Sequence, residues 1–180
     1  MSVFTNPASR SVEDAEAYVR AVLGLVGDRD PFEILESTPR ALRDAVSGME
    51  PDALSTPEAP DKWSIRHVIR HLADAEIVWG VRLRMVLAED RPRLAGFDQD
   101  AWAGRLRYGA AHVQESLEEF ETLRRGHLRL LRRAPREDLR RVGVHAERGE
   151  ESVEHMIRLY AGHDLLHLRQ IERIRESVRR

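Results

Sequence analysis

Residues 151–178 read ESVEHMIRLYAGHDLLHLRQIERIRESV, and this stretch decides the fold class. At about 100° per residue, its apolar side chains form one stripe along a helix from about Glu151 to Val178. The stripe consists of Val153, Met156, Ile157, Tyr160, Ile171, Ile174 and Val178. His163, Asp164 and His167 fall within or beside it. Ionisable groups are costly to bury unless something satisfies them, so this face predicts a polar or metal-binding site in the interior.

The segments upstream predict three more long helices, over about 30–48, 64–90 and 110–133. The first has Asp30 as its cap and is expected to break or kink at Thr38-Pro39. An N-terminal helix from Ser11 to Gly27 precedes all of these. The connections are residues 49–62, 91–109 with a short helical turn, and 136–149, where Val142 to Val144 form the only weakly strand-like piece.

Four long helices without a convincing sheet are typical of an all-α four-helix bundle, in which sites form from side chains of facing helices. We therefore predict a single domain, with residues 1–29 as an N-terminal helical extension and residues 30–180 as the bundle. A chain of 180 residues with 42% apolar residues can bury one core of this kind.

Composition restricts the function classes. The chain has no cysteine, which excludes disulfides and thiolate ligands, so any metal site must use nitrogen and oxygen donors. Its 29 basic and 31 acidic residues are mixed along the chain, which argues against nucleic acid as a partner. No signal-peptide pattern and no run of about 20 apolar residues is present, so we predict no membrane association and a cytoplasmic protein.

In the helix that begins at Ser64, polar side chains again fall on or beside the apolar face. Glu76 falls near the middle of its apolar face and His71 lies at the edge, so two helices bring polar groups to the same interior. His71, His163 and His167 would together form a three-histidine set, which zinc, nickel or iron accepts with open positions for a substrate. Other readings stay open, because His67 lies one turn from His71 and because Glu76 and Asp164 could be buried hydrogen-bond acceptors.

The remaining candidates have plainer interpretations. We expect His112, His127, His145 and His155 at the surface or in loops. Aromatic residues of this kind are more often core anchors than substrate-stacking groups, and this applies to Tyr160, Trp63, Trp79 and Trp102. No Gly-rich phosphate loop and no serine nucleophile elbow is recognisable.

Two segments resemble the motifs of a known family. Residues 61–66 (DKWSIR) and 71–76 (HLADAE) resemble the W-S…H-L-x-D-x-E signature of the DinB-like superfamily, and residues 162–171 (GHDLLHLRQI) resemble its C-terminal H-D-x-x-H-L-x-Q-I signature. The similarity covers about residues 30–178. It implies a four-helix bundle, a divalent metal held by His71, His163 and His167, and a homodimer.

The resemblance also suggests a function. Family members include mycothiol- and bacillithiol-dependent transferases and isomerases, in which the metal activates a low-molecular-weight thiol as the thiolate. The resulting hypothesis is a metal-dependent enzyme acting on a small molecule, a thiol-dependent S-transferase or a hydrolase, with Glu76 or Asp74 assisting a ligand or a proton transfer. The alternatives are a non-catalytic module that binds a small ligand around a structural metal, closed for example by Glu76, and a stress-related interaction protein with a vestigial site.

Overall fold

The computed structural model describes residues 12–178, with side chains from residue 15 onward. Its helices are α1 (Val12–Val26), α2 (Pro31–Val46), α3 (Pro51–Ser55), α4 (Ile65–Ala88), α5 (Gln99–Arg105), α6 (Val113–Arg133) and α7 (Val153–Val178). The four long helices α2, α4, α6 and α7 pack together, and α1 lies along α7. This confirms the four-helix bundle and its additional N-terminal helix, although Ser11, the predicted first residue of α1, lies outside the described residues.

A small three-stranded sheet joins two of the connections, so the prediction of no sheet is wrong there. Strand β1 (Arg93–Leu94) pairs in parallel with β2 (Val142–His145), which pairs antiparallel with β3 (Gly149–Ser152). The strands are short, and β1 pairs with residues some fifty positions away, which local periodicity cannot reveal. The sheet matters for function because it carries His145 and the residues after it to the bundle interior.

Helix α2 is continuous through Pro39, so of the break or kink predicted at Thr38-Pro39, the break does not occur. Proline cannot donate the hydrogen bond that the carbonyl of Leu35 would normally accept within the helix. That carbonyl accepts a bond from the guanidinium of Arg124 at 3.0 Å instead. The buried backbone oxygen is therefore satisfied from α6, and the helix passes the proline without a free polar group.

The core consists of two apolar clusters separated by a polar layer. One cluster includes Trp79, Leu83 and Met156 and the other includes Ile69, Phe120 and Ile171. Between the clusters, each long helix contributes one polar residue that is 1% exposed, and these are Thr38, Glu76, Arg124 and Asp164. The bundle is thus divided along its length, with ionic contacts in the middle and apolar packing on either side.

Candidate metal centre and its cavity

Three imidazoles from two helices meet inside the bundle. His71 comes from α4, while His163 and His167 lie one turn apart on α7. The Nε2 atom of His163 is 3.2 Å from Nε2 of His71 and 3.1 Å from Nε2 of His167. One nitrogen from each ring can be chosen so that all three lie within 4.8 Å of one another. His71 is 1% and His167 7% exposed, so the group is largely shielded from solvent.

The protonation of these rings fits a cation. Nδ1 of His167 lies 2.8 Å from the amide oxygen of Gln170, so Nδ1 carries the proton and the Nε2 lone pair faces His163. Burial lowers the pKa of His167 to about 4 and, together with the neighbouring imidazoles, holds those of His71 and His163 well below the usual value. All three rings are therefore neutral near pH 7, the state in which imidazole binds metals.

The spacing of the imidazole nitrogens also fits a bound cation. Imidazole nitrogens at ~2.0–2.1 Å from one cation are about 3–3.4 Å apart, and the two Nε2 separations above fall in that range. Among the side chains that the structure describes, the group contains no carboxylate. The three rings thus suit a divalent ion with coordination positions left open. Their assignment as metal ligands stays a prediction.

The imidazoles open onto a cavity of about 380 Å³, which is within the range of small-molecule sites. Trp63 and Phe97 form an aromatic wall beside His71, with ring centroids 5.0 Å and 6.4 Å from the imidazole. Trp79, in contrast, is fully buried in the core, as a core anchor should be. The cavity is lined by residues of α1, α4, α7 and the sheet region, including Tyr18, Arg82, His145, Arg148 and Tyr160.

Helix α1 closes one side of this cavity. Ala15 and Tyr18 line it, and α1 approaches α7 so closely at Gly162 that a Cβ atom there would overlap the backbone carbonyl of Val22. The N-terminal helix is therefore part of the site's wall.

The two carboxylates predicted to assist catalysis lie in other surroundings. Glu76 accepts bonds from Arg124 at 2.7 and 3.1 Å, and its carboxylate is 3.0 Å from Nδ1 of His127. Asp74 accepts from Arg70 and, at 2.5 Å, from the hydroxyl of Tyr108. Neither carboxylate lines the cavity. A catalytic role for either stays a prediction without direct support from their positions.

The polar layer is centred on Arg124. Its five N–H donors are all used, by Glu76, Asp164 and the Leu35 carbonyl. Burial opposes ionisation of Glu76, but Arg124 and His127 outweigh it and lower its pKa, whereas burial raises the pKa of Asp164. Asp164, which follows His163 on α7, accepts two bonds from Arg124, at 2.6 and 3.0 Å.

Two of the histidines assigned to the surface are buried, so that prediction is wrong for them. His127 is 3% exposed and contacts Glu76, and His145 is 2% exposed and lines the cavity. His67, the alternative to His71, bonds Ser64 at 2.9 Å and is not part of the imidazole group. The signal for Arg124 was present in the sequence, since it interrupts the apolar stripe of α6 just as Glu76 interrupts that of α4.

Comparison with known proteins supports the resemblance. Residues 34–171 match the DinB superfamily. The chain belongs to this superfamily. A protein of Oceanobacillus iheyensis, named as a candidate metal-dependent hydrolase, is 31% identical over 137 residues, which are 76% of this chain and 79% of the relative. A Bacillus cereus protein with a similar name is 29% identical over 144 residues, or 80% and 83% of the two chains.

A solved structure shows the same fold. YfiT from Bacillus subtilis, described as a candidate metal-dependent hydrolase with an unusual four-helix bundle topology, matches with a TM-score of 0.74 and 24% identity. The match covers 95% of this chain and 91% of YfiT. It therefore includes most of the chain outside residues 34–171. No helix in the described part of this DinB superfamily member is long and apolar enough to cross a membrane.

Proposed function

We propose that this protein is a metal-dependent enzyme that hydrolyses a small molecule bound in the central cavity, with His71, His163 and His167 as the metal ligands. The observation that carries the proposal is the convergence of three neutral, buried imidazoles on one wall of a 380 Å³ cavity. The names of the relatives from Oceanobacillus iheyensis and Bacillus cereus support hydrolysis as the reaction.

The residues around the site have separable tasks. When bound, the cation supplies Lewis-acid chemistry and lowers the pKa of a coordinated nucleophile. Gln170 fixes the tautomer of His167 through its amide oxygen. Trp63 and Phe97 exclude water from one side of the imidazoles and offer a surface for an apolar part of the substrate. Helix α1 contributes Tyr18 to the cavity wall.

A second candidate reaction is the transfer of a low-molecular-weight thiol to an electrophile. One observation bears on it: Glu76 and Asp74 are both engaged by arginines away from the cavity. A general base for hydrolysis by water would have to be another carboxylate, such as Glu147, which lines the cavity. A thiol has a much lower pKa than water, so a cation alone can hold it as the thiolate. The family resemblance supports this candidate too.

The non-catalytic alternative requires a closed coordination sphere, because structural metal sites leave no position for a substrate. Glu76, the side chain that would close the sphere, is instead bound to Arg124 and His127. This arrangement favours the catalytic proposal. The choice among zinc, nickel and iron, the homodimer and the cytoplasmic location all remain predictions drawn from the sequence and the resemblance.

The test is elemental analysis of tag-free protein together with the variants His71→Ala, His163→Ala and His167→Ala. We expect near-stoichiometric metal in the wild type and its loss in all three. His155→Ala is the matched control, since His155 lies on the same helix as two of the ligands but outside the group, and it should retain the metal. Wild-type protein that stays metal-free after loading with zinc, nickel and iron would refute the proposal.

The reaction is tested next with metal-loaded and metal-free protein. Ester and amide substrates distinguish hydrolysis, and electrophiles offered with a low-molecular-weight thiol distinguish transfer. We expect turnover of one set that depends on the metal. Equal turnover with and without metal on both sets would exclude a catalytic metal site.

A further inference from the structure

Arg82 is a buried arginine for which the described side chains supply no counter-ion. It lies on α4, is 6% exposed and lines the cavity. The part of the chain that the structure describes offers it one hydrogen-bond partner, the backbone carbonyl of Ala95, and no carboxylate within ion-pair distance. A guanidinium removed from water needs an anion or a full set of acceptors, so Arg82 is incompletely satisfied.

The other arginines of the interior show what this protein does with a buried guanidinium. Arg124, 1% exposed, has two carboxylates, Glu76 and Asp164. Arg148 binds both oxygens of Glu151, at 2.5 and 3.0 Å. Arg82 differs from both because no carboxylate among the described side chains pairs with it.

His145 provides a second unused donor beside Arg82. Its Nδ1 accepts a bond from the backbone N–H of Glu147 at 3.2 Å, so the proton of the neutral ring is on Nε2. Burial, aided by Arg148 and Arg82, lowers the pKa of His145 to about 4, which keeps the ring neutral near pH 7. Within residues 12–178, neither its Nε2 nor the Nε of Arg82 has a hydrogen-bond partner, although both atoms are buried.

The surroundings add further donors. The hydroxyls of Tyr18 and Tyr160 belong to residues that line the same cavity, and burial raises the pKa of both, so they remain protonated. Acidic residues are present as well. Asp61, Asp100 and Glu147 line the cavity, and Glu151, which is paired with Arg148, acts on His145. The carboxylate of Glu147 lies against Gly96, where a Cβ atom would overlap it. It forms no ion pair with Arg82 or Arg148 among the described contacts.

We propose that Arg82 and His145 form an oxyanion subsite, which binds a carboxylate or phosphate group of the substrate while its reacting end lies at the three imidazoles. His71 and Arg82 are eleven residues apart on one helix, which corresponds to about 16 Å along the axis. Because Arg82 and the three imidazoles line the same cavity, a substrate that engages both is an elongated small anion. The assignment of the bound anion to a substrate rests on the proposed function. The existence of the anion site does not.

Anion binding is measured on the metal-free full-length protein, so that the ion cannot be held by a metal. Isothermal titration calorimetry with inorganic phosphate and with succinate separates a phosphate site from a carboxylate site. We expect one of them to bind with a Kd on the order of 1 mM. Arg82→Met should weaken this binding at least about tenfold, and Arg84→Met, which removes the same charge from an exposed position on the same helix, should not.

A second variant protects the test against misfolding of Arg82→Met. His145→Phe removes one donor without changing the formal charge, and it should also weaken binding of the same ion severalfold. Wild-type protein that binds neither ion, or variants that bind as well as wild type, would overturn the subsite.

Metal content, measured on the same samples, separates this proposal from the proposed function. Arg82→Met should keep its metal, because Arg82 is not among the imidazole group. Arg82-dependent anion binding in a protein that never takes up metal would leave the subsite standing while the proposed function fails. Stoichiometric metal without Arg82-dependent anion binding would overturn the subsite and leave the proposed metal site standing.

Discussion

At the residue scale, the environment of each side chain decides its role more than its chemical type does. His163 and His145 are both neutral histidines at the cavity, yet Nε2 of His163 lies next to two other imidazoles, whereas Nε2 of His145 has no partner among the described residues. Arg124 and Arg82 differ in the same way, since one is saturated with acceptors and the other is not. For the histidines, the difference depends on which group bonds the other ring nitrogen. For the arginines, it depends on whether carboxylates lie next to the guanidinium.

The titration of His145 gives a prediction at this scale. Its pKa is about 4 in the folded protein and about 6.5 when unfolded, so the unfolded state binds more protons between these values. Stability therefore falls as the pH is lowered through this window. In His145→Gln, the slope of the unfolding free energy against pH should be smaller in this window, by up to the equivalent of one bound proton. Urea denaturation of metal-free protein measures this slope.

The control for His145→Gln is the range above pH 7, where His145 is neutral in both the folded and the unfolded state. The difference in unfolding free energy between variant and wild type should be independent of pH there. Identical slopes for the two proteins between pH 4 and 6.5 would contradict the burial of the imidazole.

At the element scale, the contact between α1 and α7 determines whether the cavity is closed. Helix α1 lies outside the 34–171 family match but contributes Ala15 and Tyr18 to the cavity lining. Its close approach to α7 depends on the missing side chain of Gly162, which lies one residue before His163. Packing of α1 and the position of a candidate ligand are therefore coupled through one backbone contact.

Gly162→Ala tests this coupling. The new Cβ would meet the Val22 carbonyl, and we expect a loss of about 1–3 kcal/mol in unfolding free energy as the helices move apart. Tyr18 should become more accessible, which near-UV circular dichroism or tyrosine fluorescence can detect.

Gly126→Ala is the matched control for this glycine. It makes the same change in α6, where the new Cβ meets no atom within 4 Å beyond its chain neighbours and the backbone of its own helix, and it should be neutral or stabilising by up to about 1 kcal/mol. Equal effects of the two substitutions would show that the approach of α1 does not depend on Gly162.

At the scale of the whole molecule, the polar layer unites the bundle. Arg124 contacts α2 through the Leu35 carbonyl, α4 through Glu76 and α7 through Asp164. Its guanidinium carbon also lies 4.6 Å from the centre of the Phe120 ring. A single side chain of α6 therefore connects all four long helices, and the two apolar clusters form on either side of it.

Arg124→Met should destabilise the protein by about 3–5 kcal/mol, because it leaves two carboxyl groups buried without their partner. Chemical denaturation near pH 7 measures this loss. Arg132→Met is the control, since it removes an arginine from the same helix whose pair with Glu36 is 59% and 41% exposed, and it should change stability by less than about 0.5 kcal/mol. Wild-type stability in Arg124→Met would mean that the layer holds no ionised carboxylate.

The sequence by itself determined the four long helices, the inward position of Glu76 and Asp164, and the pairing of His163 with His167 one turn apart. These features depend on helical periodicity, which is a local property that the order of residues displays directly. The proximity of His71 to that pair was predicted from the family motifs, and the structure brings the three together.

Only the tertiary structure decided what the remaining polar residues contact. The continuity of α2 depends on a bond from α6 to the Leu35 carbonyl, and the sheet depends on strands far apart in the chain. The burial of His127 and His145, and the lack of a described carboxylate beside Arg82, likewise depend on how distant elements of the chain pack together. Such pairings are set by long-range packing, so no local pattern could reveal them.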